Sequence, residues 1–554
     1  MGVYLNSKKP YLLFREDRFS TYFIDKTDLF KELIPLLEPE LDPMDRGKII
    51  GEKGNKYLCI TRPRRFGKTV MANMISSYFG KGVDSKQIFS QLHAASYDWF
   101  PRYLNKYHVI HIMLNEMPDE CTSYTQYISR IKRRLMEDLR REFRDIPIGE
   151  EEAVWDVLNN IIEFGNGEKF IFILDEWDFI FHRNFITASD KASYIDFLSN
   201  LLKDQPYVAF AYMTGILPIA KYSSGSELNM FAEYTMVTEE RFSEYFGFTE
   251  EEVDLLFQRY QDLKLPAEHV TREGLRIWYD GYHTKSGKRI YNPRSVVLSL
   301  TNNNLGNYWT SSGPYDELLY YVRGNMDAVR DDLALMVSNV PIPSKIQEYA
   351  ATSMELRTKD EIFSAMVVYG FLNYENGCVF IPNKELMDQF ADMLRKEPSL
   401  GYVHRLAAES ERMLRATKAG DAKTMTKILE TAHNTEVPLL YYSNETELTM
   451  IVNLVYLAAR DHYRVEREAR SGIGYVDFIF YPLKKSDDCI ILELKVDHTP
   501  EEAIQQIKDR KYALNFQKNS FDREYSGRIL AVGIAYNKSD KKHHCKVEVL
   551  RERQ

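Results

Sequence analysis

The sequence predicts an α/β protein with a parallel sheet covered by helices, a mostly helical middle region and a compact α/β block at the C-terminus. Between about residues 20 and 220, short apolar segments alternate with segments of helical spacing, which is typical of parallel strands joined by crossover helices. Helical spacing dominates from about 235 to 435, and the alternation returns from about 445. We therefore expect domains at 1–235, 236–435 and 436–554.

Composition and charge exclude several classes of protein. A chain of 554 residues is too long for one hydrophobic core, so several domains are expected. The formal net charge of −9 argues against a protein that coats nucleic acid with its whole surface. The five cysteines are scattered and include no CxxC pair, which fits a reducing cytoplasm and argues against a zinc site. No apolar run approaches the roughly 20 residues that span a bilayer, so no membrane partner is expected.

The expected strands and helices follow from the spacing of apolar residues. Continuous apolar runs predict buried strands at 107–114, 169–174 and 207–214, and helical spacing predicts helices at 122–143 and 192–202. In the C-terminal block we expect strands at 476–481, 489–496 and 529–536, with helices at 447–463 and 500–514. The first sheet would then carry helices between consecutive strands, whereas the C-terminal sheet would carry a helix only between its last two strands.

A basic loop that leads from an apolar segment into a helix is the most informative stretch. Its residues Arg62, Pro63, Arg64, Arg65, Phe66, Gly67, Lys68 and Thr69 have the layout of a phosphate-binding loop of a P-loop NTPase. Backbone N–H groups and the helix N-terminus favour an anion, the lysine adds a positive charge, and the threonine hydroxyl reaches Mg²⁺. We predict that this loop binds ATP. The three arginines either clamp phosphates or form a solvated basic face.

A buried strand that ends in two acids supports a nucleotide site. The apolar residues 170–174 precede Asp175 and Glu176. An acid at such a strand end can hold Mg²⁺ through water, and the next acid can polarise an attacking water. We predict that Asp175 binds the metal together with Thr69, that Glu176 is the catalytic base, and that Thr214 lies near the γ-phosphate. Alternatively, the acids only end the strand, Asp178 caps a helix, and Thr214 is an ordinary residue between a strand and a loop.

The C-terminal block places two acids and a lysine at a spacing typical of metal-dependent nucleases. Asp477 is followed after 15 residues by Glu493, and Lys495 comes two residues later. Alternation puts Glu493 and Lys495 on one face of a strand, and a divalent cation would relieve the repulsion between neighbouring carboxylates. The metal would activate water while Lys495 orients it or shields the transition state. Glu447 would complete the metal shell, with Glu445 as the competing residue; alternatively, the charges only decorate an exposed strand.

Taken together, these segments resemble the bacterial AAA-ATPase-like family, whose members commonly carry a C-terminal PD-(D/E)XK nuclease-superfamily domain. The resemblance rests on residues 23–27, 62–69, 174–176, 212–218, 278–282 and 291–295 and on the C-terminal block. It implies a P-loop NTPase parallel sheet and a restriction-endonuclease-like α/β domain. Arginine at the first loop position is usual in that family. The resemblance covers most of the chain and is weakest from about 315 to 435.

The resemblance also implies roles for residues outside the two motifs. It places Asp25 and Lys26 beside the nucleotide, although Asp25 or Thr27 is equally well explained as a helix N-cap. Arg294, in an Asn-Pro turn, would sense the γ-phosphate from a helical lid; alternatively, this turn and the aromatic turn at 278–282 are structural packing. Gln506 matches a glutamine that is frequent in the nuclease superfamily, and it would contact the phosphate or the lysine of the site.

The leading hypothesis is a cytoplasmic ATPase coupled to Mg²⁺-dependent cleavage of nucleic acid, most simply DNA. By analogy, such a pairing suits defence against foreign DNA or mobile-element biology. The alternative is a signalling or scaffolding ATPase whose C-terminal domain only binds a partner or nucleic acid. A basic set, Lys508, Arg510, Lys511 and Lys518, either follows phosphates or is a solvated helix face. The sequence leaves the oligomeric state open, and a homo-oligomer is among the partners to test.

Overall fold

The computed structural model describes residues 2–37, 56–149, 152–219, 227–236, 240–309, 325–346, 356, 358–434, 445–471, 474–484, 486–510 and 526–553. The side chains of 432–434, 445–447, 468–471 and 474–475 lie outside this description. The strands are β1 Tyr57–Thr61, β2 His108–Met113, β3 Phe170–Asp175, β4 Val208–Gly215, β5 Ala232–Tyr234, β6 Phe248–Thr249, β7 Tyr282–His283, β8 Arg289–Tyr291, β9 Ile342–Pro343, β10 Asn373–Glu375, β11 Cys378–Phe380, β12 Tyr463–Ser471, β13 Gly474–Pro482, β14 Cys489–Val496, β15 Ile529–Asn537 and β16 Lys542–Arg551.

The helices alternate with these strands in the N-terminal part and dominate the middle of the chain. They are α1 Lys9–Arg18, α2 Leu29–Leu37, α3 Lys68–Phe79, α4 Lys86–Phe89, α5 Phe100–Tyr103, α6 Tyr124–Glu142, α7 Val154–Phe164, α8 Ala188–Leu202, α9 Glu250–Asp262, α10 Arg272–Tyr279, α11 Pro293–Asn302, α12 Met326–Val337, α13 Lys359–Val368, α14 Lys384–Lys396, α15 Tyr402–Ala408, α16 Ser410–Ala419, α17 Ala422–Asn434, α18 Glu445–Val455 and α19 Pro500–Asp509. No helix within the described ranges combines the length and apolar character needed to cross a membrane.

The chain divides into two compact units. The first comprises Met1–Pro314 and Ser344–Glu385, and the second comprises Tyr315–Pro343 and Leu386–Gln554. This division differs from the stretches 1–235, 236–435 and 436–554 expected from the sequence, because the helical middle region is shared between the units. Residues that are distant along the chain thus group with each sheet.

A parallel five-stranded sheet forms the centre of the first unit and confirms the predicted α/β fold. Its strand order is β2-β3-β4-β1-β5. Strands β1, β3 and β4 are buried along their whole length, as expected for strands covered on both faces. Because β4 lies between β1 and β3, it brings its last residues between the loop after β1 and the acids after β3. The sheet therefore gathers the predicted nucleotide-site residues at one edge.

Helices and short hairpins complete the first unit. Buried aromatic and aliphatic side chains of α9, α10 and α11 form a core of their own with β8. This core includes Tyr260, Tyr279 and Tyr291, each almost completely buried. Strands β7 and β8 form a hairpin, as do β10 and β11. The mostly helical character predicted for the middle region is confirmed.

A mixed five-stranded sheet forms the centre of the second unit and confirms the predicted C-terminal α/β block. Its order is β12-β13-β14-β15-β16, in which β14 and β15 are parallel and the other pairs antiparallel. Helix α19 packs on β14 and β15, and its Ile504 and Ile507 enter the core of the sheet. The expected strands and the helix between the last two of them are present.

Two edge strands were missed, and the helix predicted at 447–463 was too long. Helix α18 ends at Val455, a 3-10 turn covers Leu457–Asp461, and β12 begins at Tyr463. The edge strands β12 and β16 carry many charged residues because an edge pairs on one side only and faces solvent on the other. Their arginines and glutamates therefore lack the apolar run that marked the buried strands. Helix α19 ends at Asp509, and residues 511–525 lie outside the description.

Candidate nucleotide and metal sites

The loop between β1 and α3 turns through two residues of left-handed conformation. Arg65 has φ 72° and Gly67 has φ 86°. A Cβ added to Gly67 would meet open space, so glycine is favoured there by its conformational freedom rather than by lack of room. Gly67 caps α3, whose first-turn N–H groups lack intrahelical acceptors. This helix end therefore attracts an anion, as expected for a phosphate-binding loop.

The lysine of the loop is buried and is held by backbone carbonyls. Lys68 Nζ donates to the carbonyl oxygens of Arg62 and Pro63 at 2.8 and 2.9 Å. Burial lowers the pKa of Lys68 to about 8, although nearby carboxylates, Glu176 foremost, oppose this shift. Thr69 follows in the first turn of α3 and is half-buried. The two residues therefore occupy the place that the motif predicts for phosphate and Mg²⁺ contacts.

The strand ends bring Asp175 and Thr214 into direct contact. Thr214 Oγ1 donates to Asp175 Oδ1 at 2.6 Å, and both side chains are fully buried. No donor in the described part of the chain reaches the second carboxylate oxygen, Oδ2. A buried carboxylate oxygen without a donor fits a cation or a cation-bound water. The role of Asp175 in holding Mg²⁺, with Thr214 beside it, stays a prediction, and the orphaned Oδ2 atom is compatible with it.

Glu176 is held by a residue that the sequence interpretation missed. Its Oε2 accepts from Asn115 Nδ2 at 3.1 Å, and its backbone is left-handed with φ 55°. Burial, followed by the neighbouring Asp175 carboxylate, raises the pKa of Glu176 above its usual value. Asn115 comes two residues after β2, the strand that pairs with β3. A polar residue at the end of that neighbouring strand was the signal that would have revealed it.

Asp178 stands at the N-cap position of the 3-10 turn Phe179–His182, but its side chain makes no capping hydrogen bond to that turn. Its Oδ2 accepts from the backbone N–H groups of Ile216 and Leu217 at 3.0 and 2.8 Å. These residues follow β4, so Asp178 fixes the turn after Thr214 to the turn after Glu176. Asp175, Glu176 and Asp178 therefore each contact a different part of the chain, so these acids do more than end a strand.

Arg62 does not extend toward a phosphate, which corrects its predicted role as a clamp. Its side chain is 1% exposed, and its guanidinium donates to the carbonyl oxygens of Thr61 and Tyr234, both at 2.8 Å. The same group lies 5.3 Å from the ring centre of Phe246. Arginine stands at the usual glycine position because it ties the start of the loop to the edge of the sheet.

Arg64 and Arg65 differ from Arg62 in being exposed. Burial of part of its side chain and the positive charge of Arg294 lower the pKa of Arg65. The positive charge of Arg64 lowers the pKa of Glu176, which favours the ionised carboxylate. It also lowers the pKa of Lys68, which disfavours the protonated amine. Arg64, Arg65 and Arg294 therefore place positive charge near the loop, and the phosphate clamp by Arg64 and Arg65 stays a prediction.

Three other predicted nucleotide contacts are engaged elsewhere. Phe66 is buried, and its ring meets Tyr282 edge-on at 5.1 Å. Asp25 accepts from Thr27 N–H at 2.9 Å and from His93 N–H at 2.7 Å, whereas α2 begins only at Leu29. Lys26 is buried and donates to Glu252 Oε2 at 2.7 Å. These contacts leave Phe66, Asp25 and Lys26 in supporting rather than nucleotide-contacting positions.

In the second unit, β13 and β14 separate at the predicted metal site. Their register runs from Phe480 opposite Ile490 to Phe478 opposite Leu492. Beyond this point, Asp477 Oδ2 accepts from the backbone N–H of Leu494 at 2.7 Å. The carboxylate thus replaces a ladder hydrogen bond and holds the two strands together where they begin to diverge.

Glu493 and Lys495 lie on one face, as alternation predicted. Lys495 Nζ is 3.3 Å from Glu493 Oε1, and the Gln506 amide also donates to Oε1. The predicted contact of Gln506 with lysine or phosphate is therefore replaced by a contact with the acid. Burial, followed by the charge of Asp477, raises the pKa of Glu493 to about 7.

The second oxygen of Glu493 is available for a cation. Glu493 is 3% exposed, and its Oε2 meets no donor from the residues described. Glu447 and Glu445 belong to α18, but their side chains lie outside the described part. Within the described ranges, no three His, Cys, Asp or Glu side chains form a group able to hold a metal. The pair Asp477 and Glu493 fits a divalent cation whose remaining ligands would come from water, substrate or Glu447.

The predicted basic set is only partly described. Lys508 pairs with Glu548 on β16, and Arg510 caps the end of α19. Lys511 and Lys518 lie outside the described residues. The Lys508 pair favours the solvated helix face over a track for phosphates.

Comparison with protein families assigns both regions. Residues 45–224 match a family model described as "Predicted AAA-ATPase", and residues 444–544 match the PD-(D/E)XK nuclease superfamily. The chain therefore carries an AAA-ATPase-like domain and a PD-(D/E)XK domain. The first match includes the loop before α3 and the acids after β3, and the second includes Asp477, Glu493 and Lys495. No curated protein matches the chain.

Three solved structures show partial similarity at low sequence identity. A Walker-type ATPase of Pyrococcus abyssi is 10% identical, with 60% of this chain and 91% of that chain covered and a TM-score of 0.34. The ORC2 protein of Aeropyrum pernix is 11% identical, with 67% and 94% covered and a TM-score of 0.30. Cdc6p from Pyrobaculum aerophilum is 12% identical, with the same coverage and a TM-score of 0.25.

Proposed function

We propose that the AAA-ATPase-like domain binds and hydrolyses ATP with Mg²⁺ and that the PD-(D/E)XK domain cleaves DNA with Mg²⁺. The observation that carries the proposal is common to both domains. Each places a buried carboxylate oxygen that meets no donor among the described residues, Asp175 Oδ2 or Glu493 Oε2, close to a second carboxyl group and a lysine. Such oxygens are costly to bury unless a cation or a bound water satisfies them.

In the AAA-ATPase-like domain, the chain supplies groups for binding and for proton transfer. The N-terminus of α3 and Lys68 attract the phosphates, and Thr69 and Asp175 would hold the cation. The cation, when bound, would supply positive charge to neutralise the charge that develops on the phosphates. Glu176, oriented by Asn115, would accept a proton from the attacking water. Its raised pKa brings it closer to the range in which a general base works well.

In the PD-(D/E)XK domain, the chain supplies two acids and a lysine at the point where β13 and β14 diverge. Asp477 and Glu493 would hold the cation, and Gln506 orients the Glu493 carboxylate. A bound divalent cation supplies an activated water and stabilises charge on the phosphodiester. Lys495 would then be released from Glu493 to orient the water or to shield the transition state. DNA cleavage would suit defence against foreign DNA or mobile-element biology, as the resemblance implies.

A nucleotide titration tests the first half of the proposal. Calorimetry with Mg²⁺ and a non-hydrolysable ATP analogue should give saturable binding to the full chain. Replacing Lys68 with alanine should weaken that binding about 100-fold, because a buried charged partner of the phosphates is lost. Lys56→Ala is a matched control, since Lys56 donates to Val208 O at the opposite end of β4. Equal affinity in Lys68→Ala and the parent would overturn the assignment.

Plasmid cleavage tests the second half. The full chain with Mg²⁺ should nick or linearise DNA, and both EDTA and Glu493→Ala should abolish the product. The assay is repeated without nucleotide, with ADP and with the ATP analogue, because ATP turnover is expected to gate the nuclease. Metal-independent cleavage that survives in Glu493→Ala would point to a contaminant. No cleavage in any nucleotide state would favour a scaffolding ATPase.

A further inference from the structure

A groove lined by three helices of the second unit carries more positive than negative charge. It is called the α15–α17 groove here, and it encloses about 170 Å³. Its basic lining residues are Arg405 of α15, Arg412 of α16 and Lys427 of α17, and its acidic one is Glu409. The whole chain has a formal net charge of −9, so this groove is a place where an anion is attracted locally.

The floor of the groove is apolar and fixed in position. Leu406 and Ile428 line it and are buried. Tyr402 lines it as well, and its hydroxyl donates to Asp331 Oδ1 at 2.6 Å. The guanidinium of Arg330 lies 5.1 Å from the centre of the same ring. Because these contacts hold the floor, the groove is formed before a ligand binds, which lowers the entropy cost of binding.

The cations on the rim are available to a ligand. Arg405 and Lys427 are exposed, and neither side chain meets an acceptor among the residues that the structure describes. Arg412 Nη1 lies 3.1 Å from Glu409 Oε2, in a pair whose side chains are 50% and 41% exposed. An ion pair as exposed as this contributes little to stability. An incoming anion can therefore take the place of Glu409.

The chemistry and size of the groove favour a single phosphate group of a longer molecule. Arginine presents a planar fork that matches two phosphate oxygens, and lysine adds a point charge. The volume of about 170 Å³ is close to that of a cavity that holds one benzene molecule, roughly 150 Å³. A whole nucleotide is larger than this. The ligand that fits is a chain that leaves one anionic group in the groove and continues outside it.

The groove belongs to the same compact unit as the candidate metal site but lies outside that site. Helix α15 packs against α18, the helix that contains Glu447, and α18 packs on β14, the strand that contains Glu493. DNA carries phosphates at regular intervals along each strand. A DNA molecule held at Glu493 therefore has further phosphates to offer to a second site on this unit.

We propose that the α15–α17 groove anchors one backbone phosphate of the DNA that the PD-(D/E)XK domain cleaves, with Arg405 and Lys427 as the main contacts. Phosphate contacts position DNA but read no sequence, so the anchor strengthens binding to any sequence. The inference rests on the proposed nuclease function and adds a binding site that is separate from its metal site. An acidic peptide is the competing ligand for such a groove.

Binding of a labelled DNA duplex to the full chain tests the anchor. Fluorescence anisotropy is measured over a salt series with Ca²⁺ in place of Mg²⁺, and electrophoresis checks that the duplex stays intact. The groove variant is Arg405→Gln with Lys427→Gln. The matched control is Lys396→Gln with Lys484→Gln, which removes the same charge from exposed side chains of the same unit outside the groove. Thermal unfolding of both variants should match the parent, because exposed substitutions change stability little.

The groove variant should lose the salt dependence that one phosphate contact contributes. The slope of log affinity against log salt should become shallower by about 0.9, and affinity at about 100 mM salt should fall about tenfold. The control should stay within about twofold of the parent. In cleavage assays with Mg²⁺, KM should rise by the same factor while kcat stays within about twofold, because the anchor binds DNA equally before and during the reaction.

Four outcomes overturn the inference, and they separate it from the proposed function. If the parent cleaves DNA and the groove variant binds it equally well, the anchor is absent while the nuclease function stands. If the control loses as much affinity as the groove variant, general charge rather than the groove holds DNA. If labelled poly-glutamate binds the parent but not the groove variant, and DNA binding is the same in both, the ligand is an acidic protein. If the parent neither binds nor cleaves DNA, the anchor and the nuclease function both fail.

Discussion

The two candidate sites are built from the same kinds of residue but arrange them differently. In the AAA-ATPase-like domain, the lysine and the acid are satisfied by separate partners. Lys68 donates to backbone carbonyls, and Asp175 accepts from the Thr214 hydroxyl. In the PD-(D/E)XK domain, the lysine and the acid satisfy each other, since Lys495 contacts Glu493 directly. The first arrangement keeps the lysine in place for a phosphate, whereas in the second a bound cation must compete with the lysine.

This difference follows from what each site has to bind. Under the proposed function, a phosphate and its cation would reach the AAA-ATPase-like domain together, so a lysine and a carboxylate with separate partners would each have a ligand to bind. At the PD-(D/E)XK domain, two carboxylates lie close together before a cation is bound, and Lys495 and Gln506 compensate part of that charge. The two sites should therefore respond differently when Glu176 is replaced in one and Lys495 in the other.

The largest expected effect is at Glu176. Glu176→Gln keeps the shape of the side chain and an oxygen that can accept from Asn115 but removes the general base. ATP hydrolysis should fall about 1,000-fold, while ATP affinity should change by less than about threefold, so that bound ATP accumulates. Phosphate release and filter binding measure the two quantities. A parallel loss of affinity would mean that Glu176 serves binding rather than proton transfer.

The control for this variant is Glu163→Gln, on the solvent side of α7. It should change neither quantity, because Glu163 is exposed and outside the site. If Glu176→Gln hydrolyses ATP at the parent rate, the assignment of the general base to Glu176 is wrong.

Much of this site was predictable from the sequence, and the exceptions have physical reasons. The motif residues Lys68, Thr69, Asp175 and Thr214 lie at strand and helix ends, where apolar runs stop abruptly and local pattern determines position. Arg62 and Lys26 could not be placed in this way. Their charged groups turn inward to distant partners, Tyr234 and Glu252, and long side chains reach such partners only through tertiary packing.

Prediction of the fold from the sequence was limited in the same way, because local pattern does not reveal contacts between distant residues. Buried strands such as β3 and β14 were predicted because both faces are apolar, whereas the charged edge strands β12 and β16 were missed. The grouping of 315–343 with the C-terminal domain and of 344–385 with the N-terminal one leaves no local signal, because it depends on contacts between residues far apart in sequence. Asn115 also acts across strands, through its contact with Glu176.

A second prediction concerns the lysine in the PD-(D/E)XK domain. The charge of Lys495 lowers the pKa of Glu493, so Lys495→Met should raise it further and leave the carboxyl more protonated at pH 7. DNA cleavage should fall about 30-fold, from the loss of both the lysine and part of the cation affinity. Initial cleavage rates over a Mg²⁺ series separate the two contributions.

Lys508→Met is the matched control for this lysine, because Lys508 belongs to the same domain and pairs with the exposed side chain of Glu548. It should cleave at close to the parent rate. If both variants lose activity equally, the general positive charge of the domain, rather than the contact between Lys495 and Glu493, supports cleavage.

The smallest expected effect is the pH dependence of cation binding at the PD-(D/E)XK domain. Burial and the Asp477 charge raise the pKa of Glu493 to about 7, so a proton competes with the cation below that pH. Mn²⁺ affinity should be constant well above pH 7 and fall by about tenfold per unit as pH drops below 7. Subtracting a titration of Glu493→Gln removes the contribution of the AAA-ATPase-like domain. Asp477→Ala should weaken Mn²⁺ binding at every pH, because it removes a proposed cation ligand, and should lower the midpoint, because it removes a charge that opposes ionisation of Glu493. Affinity that stays flat from pH 5.5 to 8 in the parent would show that Glu493 is ionised throughout this range.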